Sequence, residues 1–244
     1  MKNKLNITET QVFGFEASFR GMRNPKNSWH LSDTTTLNCL KHDYNIEDIK
    51  PLMPYDTIEG VLLGEKDLKL AQTLIKAGSE HMKFMRMIQV WADMDMTRFF
   101  WSEFDTYKFN SKNSCSTMHK LLNPKNEITL DMFDYYEEDL DVVTDNIKRL
   151  NEIREVFLAT KDFKIQCQLK RRAKTLLFDG FLQLRTVNTN YAELRNMVLQ
   201  RNKHQLAPDW QNCFCTWVTT LPYAKELIFC GLEDEYERLK QKEN

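Results

Sequence analysis

The chain has 244 residues, enough to bury a substantial core as one large domain or two small ones. It is 42% hydrophobic and 28% charged, an ordinary soluble globular balance, and its seven glycines and six prolines are too few for the many tight turns of an all-β sandwich. A formal net charge of -1 argues against the broad basic field of a protein that lives on long nucleic acid, while a local cation cluster for a small anion stays open.

The first residues, MKNKLNITETQ, lack the apolar run of a signal peptide. No segment approaches the ~18 uncharged apolar residues of a membrane span. A cytoplasmic location with no membrane partner is therefore expected. Over residues 10–22, TQVFGFEASFRGM, Phe13, Phe15, Ala17 and Phe19 fall in step, which predicts a half-buried strand. The following RNPKNSWHLSDTTT reads as a polar loop, and residues 46–64 as irregular. Leu68, Ala71, Leu74 and Ile75 share a helical face across residues 66–78, with Gly78 at the stop position. HMKFMRMIQVW predicts a strand ending near Trp91. Asp93 is placed to cap a helix running through about Glu103.

Residues 130–160 are rich in charge with repeated apolar positions and predict a helix, as do residues 162–178 around LKRRAK. Residues 190–205 predict another, which Pro208 breaks or restarts. The remainder gives one apolar helix and then a charged terminal one. The expected class is α+β, long helices around a small sheet.

Six cysteines, Cys39, Cys115, Cys167, Cys213, Cys215 and Cys230, show no CxxC spacing. They read as free buried thiols of a reducing compartment. Cys213 and Cys215 alone are a weak metal signal, and the five histidines, His30, His42, His81, His119 and His204, lie too far apart to strengthen it. GxGxxG after a strand, GxxxxGK[ST], HExxH and GxSxG are all absent, so the common dinucleotide, P-loop, zinc-protease and hydrolase sites have no support.

Three segments in order carry more information. LGEKDLKLAQTLIKAG leads straight into SEHMKFMRMIQV; MTRFFWSEF follows with a polar stretch through NSCSTMH; NYAELRNMVLQR comes late in the chain. Together they resemble the flavin-dependent thymidylate synthases over roughly residues 60–120 and 165–217. The resemblance implies a single α+β domain over residues 1–244 with a small, mainly antiparallel sheet, a divergent N-terminal part and a helical C-terminal extension. It implies FAD as cofactor and a dUMP-like pyrimidine nucleotide as substrate. The reaction would be a reductive methylation or a related pyrimidine modification, with NADPH and methylenetetrahydrofolate as co-substrates. It further implies a homo-oligomer, a tetramer in the family, whose sites form between subunits.

Carried over by position, Glu80 and His81 would stand beside the flavin, and Asn190 and Asn196 would contact flavin or base. Arg201 would hold the nucleotide phosphate, for which a planar guanidinium is suited. A solvated helix would also favour an arginine at that end, through its dipole. Ser114 and Ser116 offer hydroxyls to a phosphate or uracil edge. The early cluster Arg20, Arg23 and Ser28 stands where the family has an Arg-and-Ser segment. One departure is sharp. Where an Arg-His-Arg signature falls, this chain has Ser102, Glu103 and Phe104. Either the ligand differs or cations come from elsewhere, with Arg98, Lys108 and Lys112 as candidates. A non-catalytic nucleotide-binding or interaction protein on the same scaffold is the alternative reading.

Overall fold

In a computed structural model, residues 5–36 and 60–242 are described. The fold is α+β. Strands β1 (Asn6–Phe13), β4 (Gln89–Thr97), β5 (Ser111–Ser114) and β6 (Leu182–Asn190) form a small antiparallel sheet in the order β1-β4-β6-β5. A second sheet pairs β2 (Thr35–Thr36) with β3 (Val61–Leu62). By internal packing the chain divides into two compact units.

One unit comprises Asp93–Thr106 and Lys112–Thr186, with the described part of Met1–Asn6. It carries helices α3 (Arg98–Phe104), α4 (Thr117–Leu121), α5 (Leu140–Ala159) and α6 (Phe163–Leu176). Its core gathers Leu121, Phe133, Leu150, Ile153, Ala173 and Phe181, with the Phe133 and Phe181 rings edge-on at 5.4 Å. Asp162 starts α6 by accepting the N–H groups of Lys164 and Ile165 at 2.8 and 3.2 Å. The expected helix over residues 130–160 begins only at Leu140. The backbone of Phe133 bridges to Phe181, so the residues before Leu140 make short 3-10 turns instead.

The other unit comprises Ile7–Ala92, Tyr107–Ser111 and Val187–Asn244 in its described part. It holds α1 (Phe15–Met22), α2 (Glu65–Lys76), α7 (Tyr191–Arg201), α8 (Ala207–Asp209), α9 (Thr216–Thr219), α10 (Ala224–Leu227) and α11 (Glu233–Lys240). A π-helical stretch, Trp210–Cys215, joins α8 to α9. Phe15, Phe19, Phe84, Tyr191, Leu194, Trp210 and Phe214 are buried at its centre. Beneath α2 lies a buried ion pair. Arg23 donates to Asp67 at 2.5 Å, and the hydroxyls of Ser32 and Thr34 also donate to Asp67 at 2.6 Å. Asp67 is fully buried and Arg23 is 5% exposed.

Several expectations change here. Residues 10–22 are not one strand: β1 ends at Phe13 and α1 begins at Phe15. Gly14 turns the chain at φ 99°, and a Cβ there would lie 2.3 Å from the Met87 carbonyl oxygen. Phe15, Ser18, Phe19 and Met22, spaced i, i+3, i+4 and i+7, form the buried helical face. The stretch predicted as a strand up to Trp91 is a 3-10 helix over Met82–Met87, and β4 then continues to Thr97. Val90, Ala92, Met94 and Met96 point inward along it, a strict period of two. Asp93 is therefore a strand residue, accepting from the Thr186 hydroxyl at 2.6 Å, and Thr97 caps α3 through the Phe100 N–H.

Leu182–Asn190, where the sequence pattern gives no element, forms strand β6. Most of the irregular segment 46–64 lies outside the described residues, as does Cys39. Cys215 and Cys230 are buried as expected, but Cys115 and Cys167 are exposed. Among the described residues, no group of three or more His, Cys, Asp or Glu could hold a metal ion, and no helix is long and apolar enough to cross a membrane.

Candidate functional site

A polar and aromatic cluster is built at the end of α7. Asn190 starts this helix: its side-chain oxygen accepts the Glu193 N–H at 3.0 Å, and its amide donates to the Phe109 carbonyl at 3.4 Å. Asn196 bonds on the same helix, donating to Glu193 at 3.5 Å and accepting from Gln200 at 2.9 Å. Arg201 closes the helix. Its Nε donates to the Tyr107 hydroxyl at 2.8 Å, and its Nη1 lies 2.7 Å from Nε2 of His204. Arginine has no acceptor, so His204 accepts through Nε2 in this contact.

The guanidinium carbon sits 4.7 Å from the Trp210 ring centre and 5.7 Å from that of Tyr107. The Tyr107 hydroxyl in turn donates to Gln200 at 3.2 Å. Burial pushes the Tyr107 phenol above its ordinary pKa, against the opposing pull of Arg201. These contacts fix a cation in orientation, flanked by aromatic faces, which is an arrangement suited to an anionic group such as phosphate.

Asn190 and Arg201 stand at opposite ends of α7, about 16 Å apart along the axis by helical rise. They can serve one ligand only at separate groups. Glu80 and His81 lie at the turn before Met82–Met87, both exposed. Glu80 pairs with Lys83 at 3.1 Å, and that hydrogen bond and charge hold its carboxyl below the ordinary range. Arg20 is exposed near Glu16, while Arg23 is committed to Asp67 and also donates to the Ser28 carbonyl at 3.4 Å.

In the unit that contains α3, Arg98 donates to the Leu177 carbonyl at 3.0 Å and lies 3.5 Å from Asp179. Ser114 ends β5 and is exposed. Ser116 is exposed too, its hydroxyl oxygen accepting from the His119 N–H at 3.5 Å. Lys112 pairs with Asp105 at 2.8 Å. Ser102 is exposed, Glu103 half-buried and Phe104 fully buried. Sequence reasoning missed Tyr107, His204 and Trp210 around Arg201. The only local hint was a tryptophan two residues after Pro208.

The α+β architecture is that of the flavin-dependent thymidylate synthases. A crystal structure of thymidylate synthase X from Helicobacter pylori with FAD and dUMP matches 96% of this chain and 99% of its own, with a TM-score of 0.62 at 14% identity. A second structure of the H. pylori enzyme complexed with FAD and dUMP matches 91% of this chain and 98% of its own, with a TM-score of 0.59 at 14% identity. At that identity the likeness is one of fold. No protein-family model matches the sequence, and no curated protein does.

FAD would need donors for its diphosphate. Ser102, Glu103 and Phe104, standing where the cationic signature falls, do not fit that need: an exposed hydroxyl, a carboxylate and a ring buried in the core offer no positive charge.

Proposed function

We propose that the protein binds a dUMP-like pyrimidine nucleotide, with Arg201 as the phosphate-binding cation. The observation that carries this is the fixing of the Arg201 guanidinium by Tyr107, His204 and the Trp210 ring. A guanidinium held before the ligand arrives loses less conformational entropy on binding. Asn190 and Asn196 would face the base or a second ligand, Glu80 and His81 a flavin, and Ser114 and Ser116 the nucleotide.

The enzymatic form of this reading is a divergent reductive methylation or related pyrimidine modification. In that form a flavin reduced by NADPH would supply the hydride and methylenetetrahydrofolate the carbon, in a cytoplasmic homo-oligomer. FAD and dUMP are bound in both H. pylori structures, and this supports carrying them here. A second reading is nucleotide binding without turnover. It is favoured by the burial of Phe104 and the carboxylate of Glu103 at the signature positions.

The test is calorimetric titration of the full chain with dUMP. Binding that falls at least about tenfold in Arg201→Ala, with an unchanged melting temperature, supports the proposal. Equal affinity in the variant overturns it. A visible flavin spectrum on FAD titration, with dUMP-dependent NADPH oxidation, selects the enzyme; dUMP binding without either selects the second reading.

A further inference from the structure

Helix α3 and its C-terminal cap present Trp101, Phe104 and Asp105 at spacing i, i+3 and i+4, so the three side chains are neighbours on one face. Two cations reach that face from strands. Arg185 of β6 places its guanidinium carbon 4.3 Å from the Trp101 ring centre. Lys112 of β5 places its ammonium 5.2 Å from the Phe104 ring centre. Both meet Asp105: Nη1 of Arg185 lies 3.1 and 3.3 Å from its two oxygens, and Nζ of Lys112 lies 2.8 Å from one.

Neither cation relies on Asp105 alone for its position. Nε and Nη2 of Arg185 both donate to the Gln183 side-chain oxygen, at 3.3 and 3.0 Å. The Gln183 amide is itself anchored, donating to the Cys115 carbonyl at 2.9 Å and the Thr117 hydroxyl at 3.2 Å. Trp101 is locked by its indole N–H on the Gln183 carbonyl at 2.8 Å. The side chains of Arg185 and Lys112 are 15% and 18% exposed, whereas that of Asp105 is 46% exposed. The cations are seated, and the carboxylate is the member nearest solvent. Burial pushes the Asp105 carboxyl up, but the Lys112 hydrogen bond and the charges of Arg185 and Lys112 prevail and hold it below its ordinary range.

We propose that Arg185 and Lys112 form an anion-binding cradle for a multiply charged phosphate group, with Asp105 as its built-in occupant. A monoanion gains little here, because Asp105 already supplies one carboxylate at high effective concentration. A phosphate dianion or a diphosphate brings more charge and more acceptor oxygens than the carboxylate it displaces. The cradle thus brings two cations, from β5 and β6, to the face of the helix that carries Ser102, Glu103 and Phe104. It shares no residue with the Arg201 cluster, so the two sites stand or fall separately.

The experiment is calorimetric titration of the full chain with inorganic pyrophosphate at low ionic strength. Asp105→Asn is expected to bind at least about tenfold tighter than the unaltered protein, since it removes a unit charge in contact with both cations. The gain should vanish when Arg185→Gln or Lys112→Gln is added, and persist when Arg201→Ala is added. Equal affinity of Asp105→Asn and the unaltered chain overturns the proposal. So does a gain that survives Arg185→Gln, or one abolished by Arg201→Ala. If circular dichroism shows that Asp105→Asn does not fold, Lys112→Gln alone decides: pyrophosphate affinity must then drop, and an unchanged value overturns the cradle. Parallel titrations with ADP and inorganic phosphate separate a nucleoside diphosphate from the free anion. Whichever binds tighter must show the same dependence on Arg185.

Discussion

Arg201 donates its Nε–H to the Tyr107 hydroxyl at 2.8 Å, across 94 positions of sequence. This one bond joins the end of α7 to the segment that follows α3 in the chain. It turns a helix-terminal arginine, which could have waved in solvent, into a cation with one orientation.

Replacing Tyr107 with Phe keeps the ring against Arg201 and deletes the hydroxyl that orients it. dUMP affinity is expected to fall about three- to tenfold, with about 1 kcal/mol or less lost from stability. Calorimetry and urea unfolding measure the two effects; unchanged affinity would mean that the bond plays no part in nucleotide binding.

Asp67→Asn leaves Arg23 buried with its charge uncompensated. The cost expected for breaking such a pair is about 3–5 kcal/mol. The double change Arg23→Met with Asp67→Leu should recover part of it, because both charges are then gone. Urea midpoints decide, and a single change costing no more than a surface substitution refutes the account.

Gly14→Ala and Gly231→Ala separate two contributions. Both glycines have positive φ, but a Cβ at Gly14 meets the Met87 carbonyl oxygen at 2.3 Å, while one at Gly231 meets nothing within 4 Å. Gly231→Ala should cost about 1 kcal/mol, the backbone preference alone. Gly14→Ala should cost clearly more, because backbone must move. Equal losses in unfolding experiments would show that the close approach is unimportant.

The thiols divide by exposure. Burial pushes both Cys213 and Cys215 up to about 12. Iodoacetamide at pH 8 should modify Cys115 and Cys167 quickly and spare Cys215, as read by mass spectrometry of peptides. A thiol whose pKa rises on folding favours the folded state while it is neutral. That contribution is complete below the unfolded thiol pKa of about 8.5 and is lost as pH rises toward the folded value. Unfolding free energy should therefore decline above pH 9; rapid labelling of Cys215, or no decline, contradicts this.

Local pattern determined a good part of the molecule. The face built from Leu68, Ala71, Leu74 and Ile75 with Gly78 at its end gives α2, and the charged repeat after Asp162 gives α6. The ordered segments ending at Arg201 already pointed to the right fold. In each case the determining residues lie within a few turns of one another, so periodicity and caps carry the information. Where two periods fitted, the pattern alone did not choose. Phe13, Phe15, Ala17 and Phe19 alternate like a strand, yet Phe15 and Phe19 also fit a helix, and the approach of Met87 to Gly14 settles the matter. Asp93 looked like a helix cap until β6 brought Thr186 to it. The burial of Asp67 on Arg23, the seating of Arg201 on Tyr107 and Trp210, and the meeting of Arg185, Lys112 and Asp105 were decided only by tertiary structure. Each joins residues tens of positions apart or orients a charge against a ring, and the energy of such a contact exists only once the intervening chain has folded to create it.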